Sequence, residues 1–250
     1  MDLTRLKAAV LLSTALLFAP LAKAVTAMPA VAALTPFEAS YQVTRGGSDY
    51  GQASRTLEAL GDDRFRLNMQ TDIEWLFLSD NRHFKSEFKV IEGQVQAESF
   101  WYSRTGTGSN KSFAAEFNRA EQQIINLTSG ETVDVAWQAN LRDESAALIQ
   151  LQLDLAKLPA GSANPRWNYT VLDEKGQLDK LTFELRDQVE LELPYGKVTA
   201  LEVVRVRENS KRETIYWFAP ELGYNLVKMR QANDGDETAT LVLTHYQARR

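Results

Sequence analysis

The chain contains no cysteine in its 250 residues. That excludes disulfides, a thiolate nucleophile, a zinc–thiolate site and a lipid-anchoring cysteine. Histidine is almost absent, with only His83 and His245. Each falls in a stretch with strand alternation, and neither has a second ligand at a metal-binding spacing, so a structural role is expected for both. No metal or cofactor is expected. There is no Gly-x-Ser-x-Gly elbow, so the sequence offers no serine hydrolase signature. Asp234-Gly235-Asp236-Glu237 lacks the twelve-residue ligand spacing of a calcium loop and reads as a hairpin turn. Beyond the first 24 residues there is no long apolar run, so no stable membrane span is expected in the rest of the chain.

The N-terminus carries the pattern of an export signal. Arg5 and Lys7 precede an apolar run from Ala8 to Leu21, and Ala22-Lys23-Ala24 fits a small-x-small cleavage site. The expectation is a signal peptide over 1–24, cleaved after about Ala24, a flexible stretch over 25–35, one β-rich domain over 36–250, and a periplasmic location. This leader has a net charge of +2 and the whole chain −5, so the remainder carries −7. A moderately acidic surface argues against a nucleic-acid partner, which needs a basic face. With no disulfides, an exported chain has to hold itself together by core burial.

From residue 37 onward the dominant signal has period two. Phe37, Ala39, Tyr41 and Val43 alternate with Glu38, Ser40, Gln42 and Thr44, and turn residues recur at Gly46-Gly47, Gly61-Asp62-Asp63 and Glu92-Gly93. Glu131 to Trp137 continues the pattern. The period changes once, after Asp143, where an apolar run without Gly or Pro predicts a single helix over 143–157 capped by Asp143. Strands resume at Trp167. From Leu193 to Tyr246, turns at Asn209, Gly223 and Asp234-Gly235 separate four extended segments. So many strands cannot stay in a flat open sheet. The predicted fold is all-β with minor α: a large curved antiparallel sheet, or incomplete β-barrel, with one helix against or inside it.

Two side-chain groups suggest ligand binding. Trp75, Phe77, Trp101 and Trp217 would line the concave face of a curved sheet and suit an acyl chain or a glycan; filling a closed core is the alternative. Trp75-Leu76-Phe77-Leu78 breaks the alternation and reads as a loop tucked into the core, or else as an exposed lip. Arg205, Arg207 and Arg212 cluster about the Asn209 turn with Glu202, Glu208 and Glu213, either as a cross-strand ion-pair ladder or as an anion-binding patch. No catalytic residue can be named.

Pro194-Tyr195-Gly196, Ala200-Leu201-Glu202-Val203, Lys211-Arg212-Glu213-Thr214, Trp217-Phe218-Ala219-Pro220 and Leu222-Gly223-Tyr224 resemble the bacterial exported family called domain of unknown function 3108. The resemblance implies a periplasmic, β-rich protein without an established activity, and it carries over no site residues. The functional expectation is a non-catalytic binding or carrier protein for an apolar or amphipathic envelope ligand, a lipid or acyl chain. The alternatives are a structural or assembly protein acting through contacts with an envelope protein, and a hydrolase with an unrecognised carboxylate pair.

Overall fold

The computed structural model describes residues 34–159, 162 and 164–249; the Trp75 side chain, like the expected signal peptide, lies outside the described residues. Fourteen strands form one sheet: β1 (Phe37–Arg45), β2 (Ser48–Gly61), β3 (Arg64–Trp75), β4 (Leu78–Ile91), β5 (Gln94–Gly106), β6 (Lys111–Asn118), β7 (Gln123–Asn126), β8 (Arg142–Asp143), β9 (Arg166–Leu172), β10 (Leu178–Leu193), β11 (Gly196–Val206), β12 (Arg212–Ala219), β13 (Asn225–Asn233) and β14 (Asp236–Ala248). One helix, α1 (Glu144–Ala156), follows β8 directly.

The strand order is β7-β6-β5-β4-β3-β2-β1-β14-β13-β12-β11-β10-β9-β8. Every pairing is antiparallel except β8 with β9. The first and last long strands therefore meet in the middle of the sheet, with Phe37 opposite Ala248 and Thr44 opposite Thr240. The two edges, β7 and β8, are consecutive in sequence. They do not pair with each other, so the barrel stays open along one seam.

Side chains fill that seam. Ala115, Phe117 and Ile124 from the β6–β7 side form one buried cluster with Leu141 and Leu172 from the other. A β-carbon added at Gly176, in the β9–β10 turn, would come within 3.0 Å of the Phe113 ring on β6. Twist closes the sheet this far. Register shifts at Ser40/Tyr41, Glu87/Phe88, Leu185/Asp187 and Trp217/Phe218 each add local coiling to strands that already twist.

Two local expectations are corrected. Residues 131–137 form no strand; only Thr132 bridges, to Ile125. Val133, Val135 and Trp137 nevertheless pack on the seam cluster. Backbone pairing with β7 stops at Val133, and the alternation beyond it reflects one-sided packing of an irregular segment. Of the two readings of Leu76, Phe77 and Leu78, core is overturned and the exposed lip holds: they are 78%, 97% and 53% exposed. Trp75 and Leu78 are the last paired rung of the β3–β4 hairpin, so Leu76 and Phe77 form its two-residue turn and project beyond the sheet. The fold also begins slightly earlier than expected, because Leu34 is buried in the main core.

The helix lies inside the curved sheet. Ile149 and Leu153 pack into a cluster with Phe37, Leu57, Leu67 and Phe88. Ala147, Leu151 and Leu155, on the other side, pack with Tyr169, Phe183, Val203 and Phe218. A helix that is apolar nearly all round can only be stable where it is surrounded. Polar contacts fix its depth. Gln150 accepts from the Val95 N–H at 2.7 Å and donates to Gly93 O at 3.1 Å, and Gln152 donates to Gly223 O at 2.9 Å. Its C-terminal half is thereby pinned to the β4–β5 and β12–β13 turns.

Asp143 caps the helix from a fully buried position. One carboxylate oxygen accepts from Ser145 N at 2.9 Å and Ala146 N at 3.0 Å, and the other from Ser86 Oγ at 2.6 Å. Burial pushes the carboxyl above its usual range, opposed by these hydrogen bonds. The folded state therefore holds the proton to higher pH than the unfolded state. This carboxyl's contribution to stability falls as pH rises from about 4, the unfolded value, through the raised folded value. Asp143→Asn is expected to keep the cap and remove that fall, whereas Asp143→Ala loses the cap, about 1–3 kcal/mol at pH 4 and less at pH 7. Chemical denaturation at pH 4 and pH 7 separates the two; an equal loss in both variants would contradict this account.

Among the described residues no helix is long and apolar enough to cross a membrane, and no three His, Asp or Glu side chains are grouped to hold a metal ion.

Candidate functional site

The helix fills only part of the interior. Beyond its N-terminal end lies a cavity of about 450 Å³ bounded by β1–β4, β12–β14 and the first turn of α1. Val43, Met69, Ile73, Phe84, Leu148, Met229 and Leu241 supply apolar walls, with Tyr41, Arg55, Asp80, Arg82, Glu144 and Tyr216 among them. A second hollow of about 340 Å³ shares Val43, Ile73, Asp80, Thr238 and Ala239 with it and continues it to the rim at Leu78, Ser79 and Thr107. The volume lies in the range of small-molecule sites, which are mostly apolar with a few placed polar groups.

Strand alternation places these groups. On β2, Ala53, Arg55 and Leu57 form the inward row. Gly51, opposite both Val43 and Ile73, marks the rim, while Leu57, opposite Phe37 and Leu67, belongs to solid core. Arg55 therefore stands at the cavity floor, roughly 13 Å of strand below Gly51. On β4, Asp80, Arg82 and Phe84 follow the same parity, and on β12 Tyr216 does.

Most charges in this lining are already neutralised. Asp80 accepts from Arg82 Nη2 at 2.8 Å and from Arg104 Nε at 3.0 Å. Its hydrogen bond with Arg82, then that with Arg104, hold its carboxyl below the usual range against the effect of burial. Glu144 lies 3.5 Å from Arg205, which in turn reaches Asp179 at 2.9 Å. Desolvation pushes the Glu144 carboxyl up, and Arg205 opposes the shift. The Tyr216 phenol is pushed up to about 12, mainly by burial. Asp80 and Glu144 are thus the two acids a hydrolytic site would have to use here, and each is engaged by arginine. Arg55 differs. It is 4% exposed, and its Nε and Nη1 meet no acceptor among the described residues. It lies beside the Tyr41 phenol, which donates to Leu226 O at 2.8 Å, and 5.6 Å from the centre of the Phe37 ring.

The residues singled out from sequence are not brought together. Phe77 sits at the exposed hairpin tip beside the rim. Trp101 is half-buried on β5 between the inward-facing Phe100 and Tyr102, edge-on to His83 at 5.0 Å. Trp217 alternates with Tyr216 and does not line the cavity; it is buried in the main core cluster, donates to Glu202 at 3.1 Å, and has Lys228 over its ring at 4.7 Å. Arg205 and Arg207 lie behind Glu144 and Tyr216, with Arg207 donating to Thr214 at 3.1 Å. Arg212 is exposed at the start of β12. Sequence reading missed Arg55, Arg82, Tyr41 and Glu144. For Arg55 a signal exists: it is a cation within the row Ala53, Leu57, Ala59 of an otherwise ordinary strand.

The fold is similar to that of a β-barrel-like protein of domain of unknown function DUF1849 from Brucella abortus, with TM-score 0.60 and 10% identity over 87% of this chain and 99% of that one. A candidate lipoprotein from Parabacteroides distasonis matches with TM-score 0.33 and 9% identity over 86% and 96%. Aeromonas veronii immune modulator A matches with TM-score 0.23 and 9% identity over 81% and 73%. Only the first supports a shared fold. No curated protein matches the sequence. The model of a family described as "Protein of unknown function (DUF3108)" matches residues 40–242, and the chain belongs to that family.

Proposed function

We propose that this protein is a periplasmic, non-catalytic carrier that holds an apolar or amphipathic envelope molecule, a lipid or acyl chain, in the unfilled part of its barrel. The observation that carries this reading is the cavity beyond the α1 N-terminus: apolar walls, about 450 Å³ of space, and a continuous opening to the rim. A core evolved only for stability would be packed to the density of a crystal. The exposed Leu76-Phe77 turn beside the rim supports the same reading, since an apolar ligand leaving a membrane or another protein needs an apolar surface to cross.

The test is native mass spectrometry of the purified protein with organic extraction of bound material. A co-purifying lipid, or stoichiometric uptake on titration, is the expected result. Leu148→Trp, which fills the cavity from the helix side, is expected to reduce uptake at least ~10-fold while leaving the far-ultraviolet circular dichroism unchanged. A clean apo mass with no uptake overturns the reading. It would favour an envelope-assembly role instead, for which the Phe77 turn is the surface to cross-link.

A further inference from the structure

We propose that Arg55 is the head-group receptor of this cavity and that the ligand is an apolar chain ending in a single carboxylate, inserted head first. The inference rests on the carrier reading and narrows it to one chemical class.

The observations concern charge balance. A buried guanidinium normally has its donors satisfied, because an unpaired buried charge is among the costliest features a fold can carry. Arg82 and Arg104 meet that requirement with Asp80, and Arg205 does so with Glu144 and Asp179. Arg55 does not: two of its nitrogens, Nε and Nη1, are buried without an acceptor among the described residues, and it faces the cavity. The Tyr41 hydroxyl is hydrogen-bonded by the guanidinium and has its own proton committed to Leu226 O. That hydroxyl is therefore an acceptor with no proton to offer a competing anion. The rows beyond Arg55 are solid core, so a group bound to it stands at the end of the cavity, and a chain attached to that group can only run outward. Val43, Met69, Ile73, Met229 and Leu241 line that route. A carboxylate matches the guanidinium fork with two parallel hydrogen bonds and leaves the pair neutral. A phosphate monoester, close to two negative charges at neutral pH, would leave one uncompensated in an apolar site.

The experiment uses the full chain, stripped of bound lipid, and three probes of equal chain length: palmitate, hexadecanol and hexadecyl phosphate. Affinities are measured by displacement of a fluorescent apolar probe. Palmitate is expected to bind at least ~10-fold more tightly than hexadecanol, the scale of one charge-assisted contact. Arg55→Met is expected to abolish that preference by weakening palmitate alone. Equal affinity of the wild type for palmitate and hexadecanol overturns the role of Arg55 but leaves the carrier reading standing. Tighter binding of hexadecyl phosphate than of palmitate overturns the carboxylate assignment. Binding of none of the three overturns both proposals. The wild-type preference is decisive even if the variant fails to fold.

Discussion

Replacing Leu151 and Leu153 together by alanine is expected to lower the thermal midpoint by tens of degrees. Both side chains are fully buried, but on opposite sides of α1. Leu151 belongs to the cluster formed by β9–β13 and Leu153 to the one formed largely by β1–β5. The helix is therefore the shared filling between two walls of a sheet that does not close by hydrogen bonds. Each leucine-to-alanine change in a packed core costs about 2–5 kcal/mol. Domains are stable by only about 5–15 kcal/mol in total, and each kcal/mol moves the midpoint by roughly 2–4 °C at this size. Leu148→Ala is the internal contrast: it borders the cavity on one face and is expected to cost less than either core substitution. Thermal unfolding followed by circular dichroism measures all of these. A drop below about 5 °C for the double variant would mean that the two walls hold together without the helix.

Gly51→Ala is expected to be a severely damaging single methyl group. Gly51 has φ +144°, a conformation that side chains rarely adopt, and a β-carbon there would stand 2.0 Å from the Asp72 carbonyl oxygen on β3. The obstacle is backbone, so no rotamer relieves it. β2 and β3 would have to separate at the Gly51–Ile73 rung, which is the cavity rim. The conformational term alone is about 1–3 kcal/mol, and the lost ladder contacts add to it. Because the damage starts at the rim, ligand uptake is expected to fall in any fraction that still folds. Hydrogen exchange should show lost protection first at Gln70–Ile73. A variant with wild-type stability and unchanged exchange would contradict the close approach of the two strands.

Much of the architecture was legible in the sequence because its cause is local. A strand with one face inward alternates with period two, so Phe37, Ala39, Tyr41 and Val43 announce β1 without knowledge of any other residue. Asp143 followed by an uninterrupted apolar run announces α1 within a residue at each end. Asp234-Gly235 announces its hairpin, and both residues take the left-handed conformation such a turn requires, at φ 55° and 86°. The errors occurred where local pattern and pairing part company. Val133, Val135 and Trp137 alternate, but backbone pairing with β7 ends at Val133 and no ladder continues beyond it. Leu76-Phe77 looks like core by composition, yet a two-residue turn projects outward whatever its residues are.

The sequence by itself determined the class of the protein: β-rich, free of cysteine, one helix among the described residues, a long meander, and membership of a family without an established activity. Only the tertiary structure decided where the inside is. β1 pairs with β14 across some 200 residues, the two edges stop short of joining, and the helix occupies one end of the lumen and leaves the other open. Aromatic residues spread along the chain read as a candidate binding face, but the tertiary packing puts Tyr216 at the cavity and buries Trp217 on the opposite strand face, in core. The same curvature takes Arg55, which in a flat sheet would reach solvent, and seals it at the floor of a cavity. Burial of a strand residue depends on which distant strands wrap around it, and that information does not reside in any window of neighbouring residues.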